Sequence, residues 1–158
     1  MLMMQGNFKV APLDVMAKVV TVLMIVAAGA IPFILGEVRY FAAFLPVILF
    51  VTWLFSVTGF SLEGNILLVS RPLWKTRIVL PPDCTARAEP EIRKGLLKTM
   101  GNGGLFGYTG GFRNRKLGNF KTYATSWSHA VSVTSDANDF CIVVTPEEVE
   151  LFIQSING

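Results

Sequence analysis

Two long apolar runs open the chain, and beyond them the apolar positions change period. Val19 to Leu35, VVTVLMIVAAGAIPFIL, has no charge in seventeen residues, and as a helix it covers about 25 Å. Val15 and Met16, with Lys18 reaching outward, extend it toward the ~30 Å of a hydrocarbon core. Tyr40 to Phe60, YFAAFLPVILFVTWLFSVTGF, is uncharged over twenty-one residues, about 31 Å as a helix. Its Pro46 is of a kind that membrane helices tolerate, and Tyr40, Trp53 and Phe60 are candidate interfacial anchors. The link Gly-Glu-Val-Arg between the runs is too short for a domain. The pattern predicts a transmembrane helical hairpin over residues 15–59, with spans of about 15–36 and 40–59, behind an N-terminal tail of residues 1–14. Signal-peptide cleavage after Ala30 fits poorly, because the apolar run continues past it and a second run follows. Two core helices of a soluble protein fit poorly as well, since roughly a hundred remaining residues cannot cover helices that are apolar all round.

From Phe60 the period is that of strands. FSLEGNILLVSR places Gly64 and Asn65 between two extended runs, as in a hairpin. LWKTRIVL alternates and is stopped by Pro81-Pro82. The segment after Pro90, with Ile92, Leu96, Leu97 and Met100, fits either a short helix ended by Gly101 or a strand with a loose loop. LFGYTGGF, NFKTYAT, AVSVTS and DFCIVVT are short, aromatic or β-branched, and separated by turn residues, with SDAND as a tight turn. In TPEEVELFIQSING, Thr145 is the expected N-cap and Pro146 the first helical residue, and Glu148 completes a T-x-x-E capping box. Val149, Phe152, Ile153 and Ile156 make one apolar face. The expected order is six or seven short antiparallel strands followed by one amphipathic helix, 146–156, able to plug a small curved sheet.

Composition sharpens the division. Hydrophobic residues make up 52% of the chain and charged residues 16%, against about 25% charged in a soluble domain. Up to Gly59 the only ionisable side chains are Lys9, Asp14, Lys18, Glu37 and Arg39. Positive charge near the spans sets orientation. Lys9 and Lys18 precede them and Arg71, Lys75 and Arg77 follow, so both termini and the domain after Gly59 are expected on the cytoplasmic side of the membrane. Cys84 and Cys141 are too few for a disulfide framework or a zinc site.

The Gly-aromatic segment GLFGYTGGF and the ending VSVTSDANDFCIVVTPEEVELFIQSI resemble the bacterial pleckstrin-homology-like (PH-like) domain families, several of which follow a transmembrane hairpin. The resemblance covers about Phe60 to Ile156 and implies an α+β fold: a small antiparallel β-barrel or curved sheet, residues 60–158, capped by the C-terminal helix. Eukaryotic relatives of that fold bind phosphoinositides, peptides or other proteins, which by analogy implies a binding or scaffold module.

The glycines of GNGGLFGYTGG match neither G-x-G-x-x-G nor a P-loop, and fit bulges or tight bends in a curved sheet. Seven basic residues and no acid lie between Ile92 and Ser135. Arg113, Arg115 and Lys116 on an expected turn, with Lys121, are the candidate contacts for anionic lipid head groups; a solvated turn is the alternative. The surplus is too small, beside a membrane segment, for nucleic acid. His129 is the only histidine, and its neighbours Ser126 and Ser128 prove no catalytic couple. No metal, cofactor or catalytic residue is expected. The reading is a non-catalytic, membrane-anchored PH-like module that binds protein partners or anionic lipid, alone or as a homo-oligomer. The alternatives are an accessory subunit of a larger membrane complex and an enzyme centred on His129.

Overall fold

The computed structural model describes residues 6–34, 44–135 and 139–158. Its first strand lies in the segment read above as a tail. Gly6–Lys9 (β1) pairs antiparallel with Gly59–Glu63 (β2), Phe8 opposite Phe60 and Lys9 opposite Gly59. Between these paired strands the chain runs out along Val15–Ile34 (α1) and returns along Phe44–Leu54 (α2). The helical hairpin is thus an insertion between two neighbouring strands, with both of its ends fixed to one sheet.

The second helix ends at Leu54, short of the expected boundary at residue 59. Gly59 and Phe60 belong to β2, and Phe60 is a core residue rather than an interfacial anchor. The expected link between the spans, and Tyr40, lie outside the described residues. Among the described residues no helix is long and apolar enough to cross a membrane. The charge-free part of α1, from Val19 to Ile34, covers about 24 Å, and α2 is described only from Phe44.

From β2 the chain turns at Gly64-Asn65, where Gly64 takes φ 59°, into Ile66–Ser70 (β3) and then Lys75–Val79 (β4). A four-stranded antiparallel sheet results, in the order β1-β2-β3-β4. Thr85–Ala88 (β5), Leu97–Gly103 (β6), Tyr108–Asn114 (β7), Gly118–Ala124 (β8), Val131–Ser135 (β9) and Phe140–Val144 (β10) form a second sheet in the order β5-β9-β10-β8-β7-β6. The expectation of an all-antiparallel arrangement is corrected at one point, since β10 runs parallel to β8, Val143 opposite Thr122. The Pro90–Gly101 segment resolves into a turn followed by β6, with a bulge between Lys98 and Met100. Residues 136–138 of the SDAND turn lie outside the described residues.

The C-terminal helix is Val149–Asn157 (α3), three residues shorter at its start than expected. Its first cap position is Glu148, without a side-chain cap bond, so the capping box does not form. Pro146 is instead bridged to Val10, and the Glu147 amide donates to the Lys9 carbonyl at 2.8 Å. Thr145 is fully buried, and its Oγ1 accepts from the Thr125 amide at 2.9 Å. The expected apolar face does form. Phe152 and Ile156 are buried with Phe8, Phe60, Leu67, Val69, Val133 and Val144 from both sheets, and Val149 and Ile153 pack beside them. Phe152 meets Phe8 edge-on at 5.2 Å. Filling that volume stabilises by about 3–5 kcal/mol relative to alanine. Asn157 docks the far end, its Oδ1 accepting from the Ala86 amide at 2.8 Å and its Nδ2 donating to the Ala86 carbonyl at 2.9 Å.

The other face of the six-stranded sheet is covered too. Ile92, Tyr108, Phe112, Phe120, Ala124, Trp127 and Val143 form a second core that includes Ala17 of α1. Asp14 holds the helix there: its Oδ1 accepts from the Ala17 amide at 2.8 Å, and the Tyr108 hydroxyl donates to its Oδ1 and Oδ2 at 3.1 and 3.2 Å. One turn on, Thr21 Oγ1 accepts from the Phe106 amide at 3.0 Å. The first two turns of α1 are therefore part of the domain.

Candidate binding site

Thr109, Gly111, Lys121 and Tyr123 share the face of β7 and β8 turned away from the second core, because side chains alternate along a strand. Met100 and Asn102 of β6 continue that face, and Val51, Thr52 and Phe55 at the end of α2 stand opposite. The space between is a groove of about 620 Å³, with one wall from the hairpin and one from the sheet. Its floor is bare backbone. A Cβ on Gly101 would meet the Thr109 carbonyl oxygen at 2.3 Å, and one on Gly110 would meet that of Met100 at 2.3 Å. Both glycines also have φ above 100°, so β6 and β7 approach this closely only because neither position carries a side chain.

Two cations belong to the groove. Arg71 is half-buried; its Nη1 donates to the Phe55 carbonyl and its Nε to Thr76 Oγ1 at 3.1 Å. Its guanidinium lies 5.5, 5.9 and 5.7 Å from the rings of Phe55, Trp74 and Tyr123. Burial pulls its proton affinity below the usual guanidinium range, with Tyr123 opposing; the ring faces and the carbonyl offset the lost hydration. Lys121 is exposed on β8 and has no ion-pair partner among the described residues.

The other three candidate residues lie elsewhere. Arg113 is the last residue but one of β7, while Arg115 and Lys116 occupy the β7–β8 turn, and all three rim an open depression of about 1010 Å³. Buried Asn114 builds the turn, its Oδ1 accepting from the amides of Lys116 at 3.1 Å and Leu117 at 2.7 Å. Lys116 Nζ is 2.6 Å from Oε2 of Glu89, a buried carboxylate, and Lys94 is paired at 2.6 Å with Glu91. Acids thus share this rim with bases, and the four candidate residues form no single cluster. The sequence reading missed Glu89 because its partner is 27 positions away.

His129 Nδ1 contacts Ser128 Oγ at 3.1 Å, and Ser128 contacts Ser126 at 2.8 Å, with no carboxylate in the chain of bonds. Among the described residues no three His, Cys, Asp or Glu side chains stand close enough for a metal. Burial raises both thiols, that of Cys141 to about 11, the reverse of an activated nucleophile.

A family model described as a bacterial PH domain matches residues 58–158. The chain belongs to the bacterial PH domain family. No curated protein and no solved structure matches it. Two sheets closed by a C-terminal helix agree with that fold, and a PH-like domain is by type a binding or scaffold module and typically non-catalytic. The matched residues begin after the second helix, so β1, both helices and the groove wall from α2 lie outside the match.

Proposed function

We propose that the chain is a PH module held on a bacterial inner membrane by its inserted hairpin, with the domain on the cytoplasmic side, and that it binds an anionic lipid head group in the groove between α2 and the six-stranded sheet. The observation that carries the reading is an inverted helix. The inner face of α1 bears small residues, Ala17, Thr21 and Ala28, while Val22, Leu23, Ile25 and Val26 are exposed. On α2 no residue is buried, and Phe44, Val47, Ile48, Phe50 and Val51 face outward. A helix beside water shows a polar outer face; large apolar groups there call for lipid. In the sequence between the two helices, residues 35–43, the only charges are Glu37 and Arg39. Lys9, Lys18, Arg71, Lys75 and Arg77 lie on the domain side, and positive charge stays cytoplasmic.

The groove opens beside α2, where a lipid would stand, and Lys121 is its exposed cation, with no ion pair among the described residues. Exposed β6 favours a second reading, that of an accessory subunit: it is the outer strand of its sheet, and Leu97 and Met100 are exposed on it, the form in which a partner strand is added. Native mass spectrometry of the full chain released from anionic nanodiscs tests both. Bound phospholipid, lost several-fold in Lys121→Gln, is the expected result. Lipid retained equally by that variant removes Lys121 from the site, and a discrete second polypeptide in place of lipid supports the subunit.

A further inference from the structure

We infer that the β3–β4 turn is a second membrane contact, with Leu73 and Trp74 seated in the head-group layer beside the end of α2. This rests on the membrane reading above and adds a surface to it that lies outside the hairpin. The turn is closed by the Arg71 amide donating to the Trp74 carbonyl at 2.9 Å. At its tip Leu73 is 72% exposed and Trp74 38%, on a turn where water alone would favour polar residues. The tip is tied to residues 55–58, the segment that directly follows α2. Trp74 meets Phe55 edge-on at 5.2 Å, Arg71 donates to the Phe55 carbonyl, and the Thr58 amide donates to the Ser70 carbonyl at 2.9 Å. Whatever depth the end of α2 takes, the tip therefore takes with it.

The chemistry at that level fits a lipid surface better than a protein one. Trp53 and Phe50 of α2 are 5.9 Å apart and Phe55 and Trp74 just beyond it 5.2 Å apart, and such rings gather at the boundary between hydrocarbon and head groups. Directly behind the tip, Lys75 and Arg77 are exposed on alternate positions of β4, with no ion pair among the described residues. Apolar tip first and cations behind is the order in which a bilayer presents acyl chains and then phosphates. The tip would then fix the rotation of the domain about the hairpin, and with it the side of the groove that faces lipid.

The test is nitroxide depth in the full chain, reconstituted in nanodiscs containing anionic phospholipid, with both cysteines replaced. Labels go at Leu73→Cys, at Asn65→Cys and at Ile25→Cys. Asn65 lies at the opposite end of β3, about 17 Å away at strand rise, and Ile25 is exposed midway along α1. Collision with oxygen relative to a water-soluble nickel chelate should be several-fold higher at 73 than at 65, and highest at 25. A value at 73 equal to that at 65, with 25 in lipid, overturns the tip contact and leaves the anchor standing. Low access to both reagents at 73 means protein cover and also overturns it. A label at 25 reading as water removes the membrane reading, and the tip with it.

Discussion

Asp14 makes two contacts with its carboxylate and a third with its amide. It caps α1 through the Ala17 amide, receives the Tyr108 hydroxyl, and through its own amide donates to the Thr125 carbonyl at 3.1 Å. The sequence places an aspartate before a helix, a legible cap, but nothing in it shows Tyr108, ninety-four positions away. Asp14→Ala should lower stability by about 1–2 kcal/mol, read as a fall in the denaturation midpoint of the full chain in detergent, whereas Asp14→Asn should keep most of the cap. Burial first, and then the Asp14 charge, push the Tyr108 hydroxyl up to about 12. The folded state therefore holds its proton more tightly than the unfolded state, where the value is near 10. Its contribution is complete below about pH 10 and is lost as pH rises toward 12. In Tyr108→Phe that alkaline loss should shrink; an unchanged profile would mean that another group governs it.

At the scale of elements, the amphipathic face of α3 was readable in Val149, Phe152, Ile153 and Ile156, because the burial of a helix face is written in its period. Its start was not. Thr145-Pro146-Glu147-Glu148 satisfies every local rule for a cap, yet β1 captures the segment, Val10 bridging Pro146 and Lys9 receiving the Glu147 amide. A long-range pairing outweighs a local cap worth about 1 kcal/mol. The two readings make opposite demands. With Thr145 buried and bonded to the Thr125 amide, Thr145→Ala should cost about 1–3 kcal/mol for the orphaned donor, while Glu148→Ala should stay within about 0.5 kcal/mol of wild type. Comparable losses in the two variants, measured by chemical denaturation, would restore the capping box. β6 was ambiguous for a related reason, since Leu97, Met100 and Gly101 suit a helix end as well as an edge strand, and pairing with β7 decides.

Across the whole molecule, the start of a β-rich PH domain near Gly59 was legible, because composition changes abruptly there. The way the parts join was not. β1 has four residues, too few for a periodic signal, and only its pairing with β2 reveals that the hairpin is inserted into a sheet. The parallel pairing of β8 with β10 is likewise a property of topology, invisible in two short strands read singly. The candidate basic residues were visible as charges, but not that Lys121 lines the groove while Arg113, Arg115 and Lys116 rim another depression, nor that Lys116 pairs with the distant Glu89. In consequence, the N-terminal segment and the domain share one framework: Phe8 lies against Phe152 and Ala17 lies in the second core. A hairpin in lipid would therefore hold the groove at a fixed height and angle.

The most direct test of that account is extraction of membranes from bacteria expressing the full chain. Washed first with high salt and then with concentrated urea, the protein should remain in the membrane pellet and be released only by detergent, because α1 and α2 present large apolar side chains to their surroundings. Release into the urea or salt supernatant would contradict the inserted hairpin, and with it the orientation of the groove.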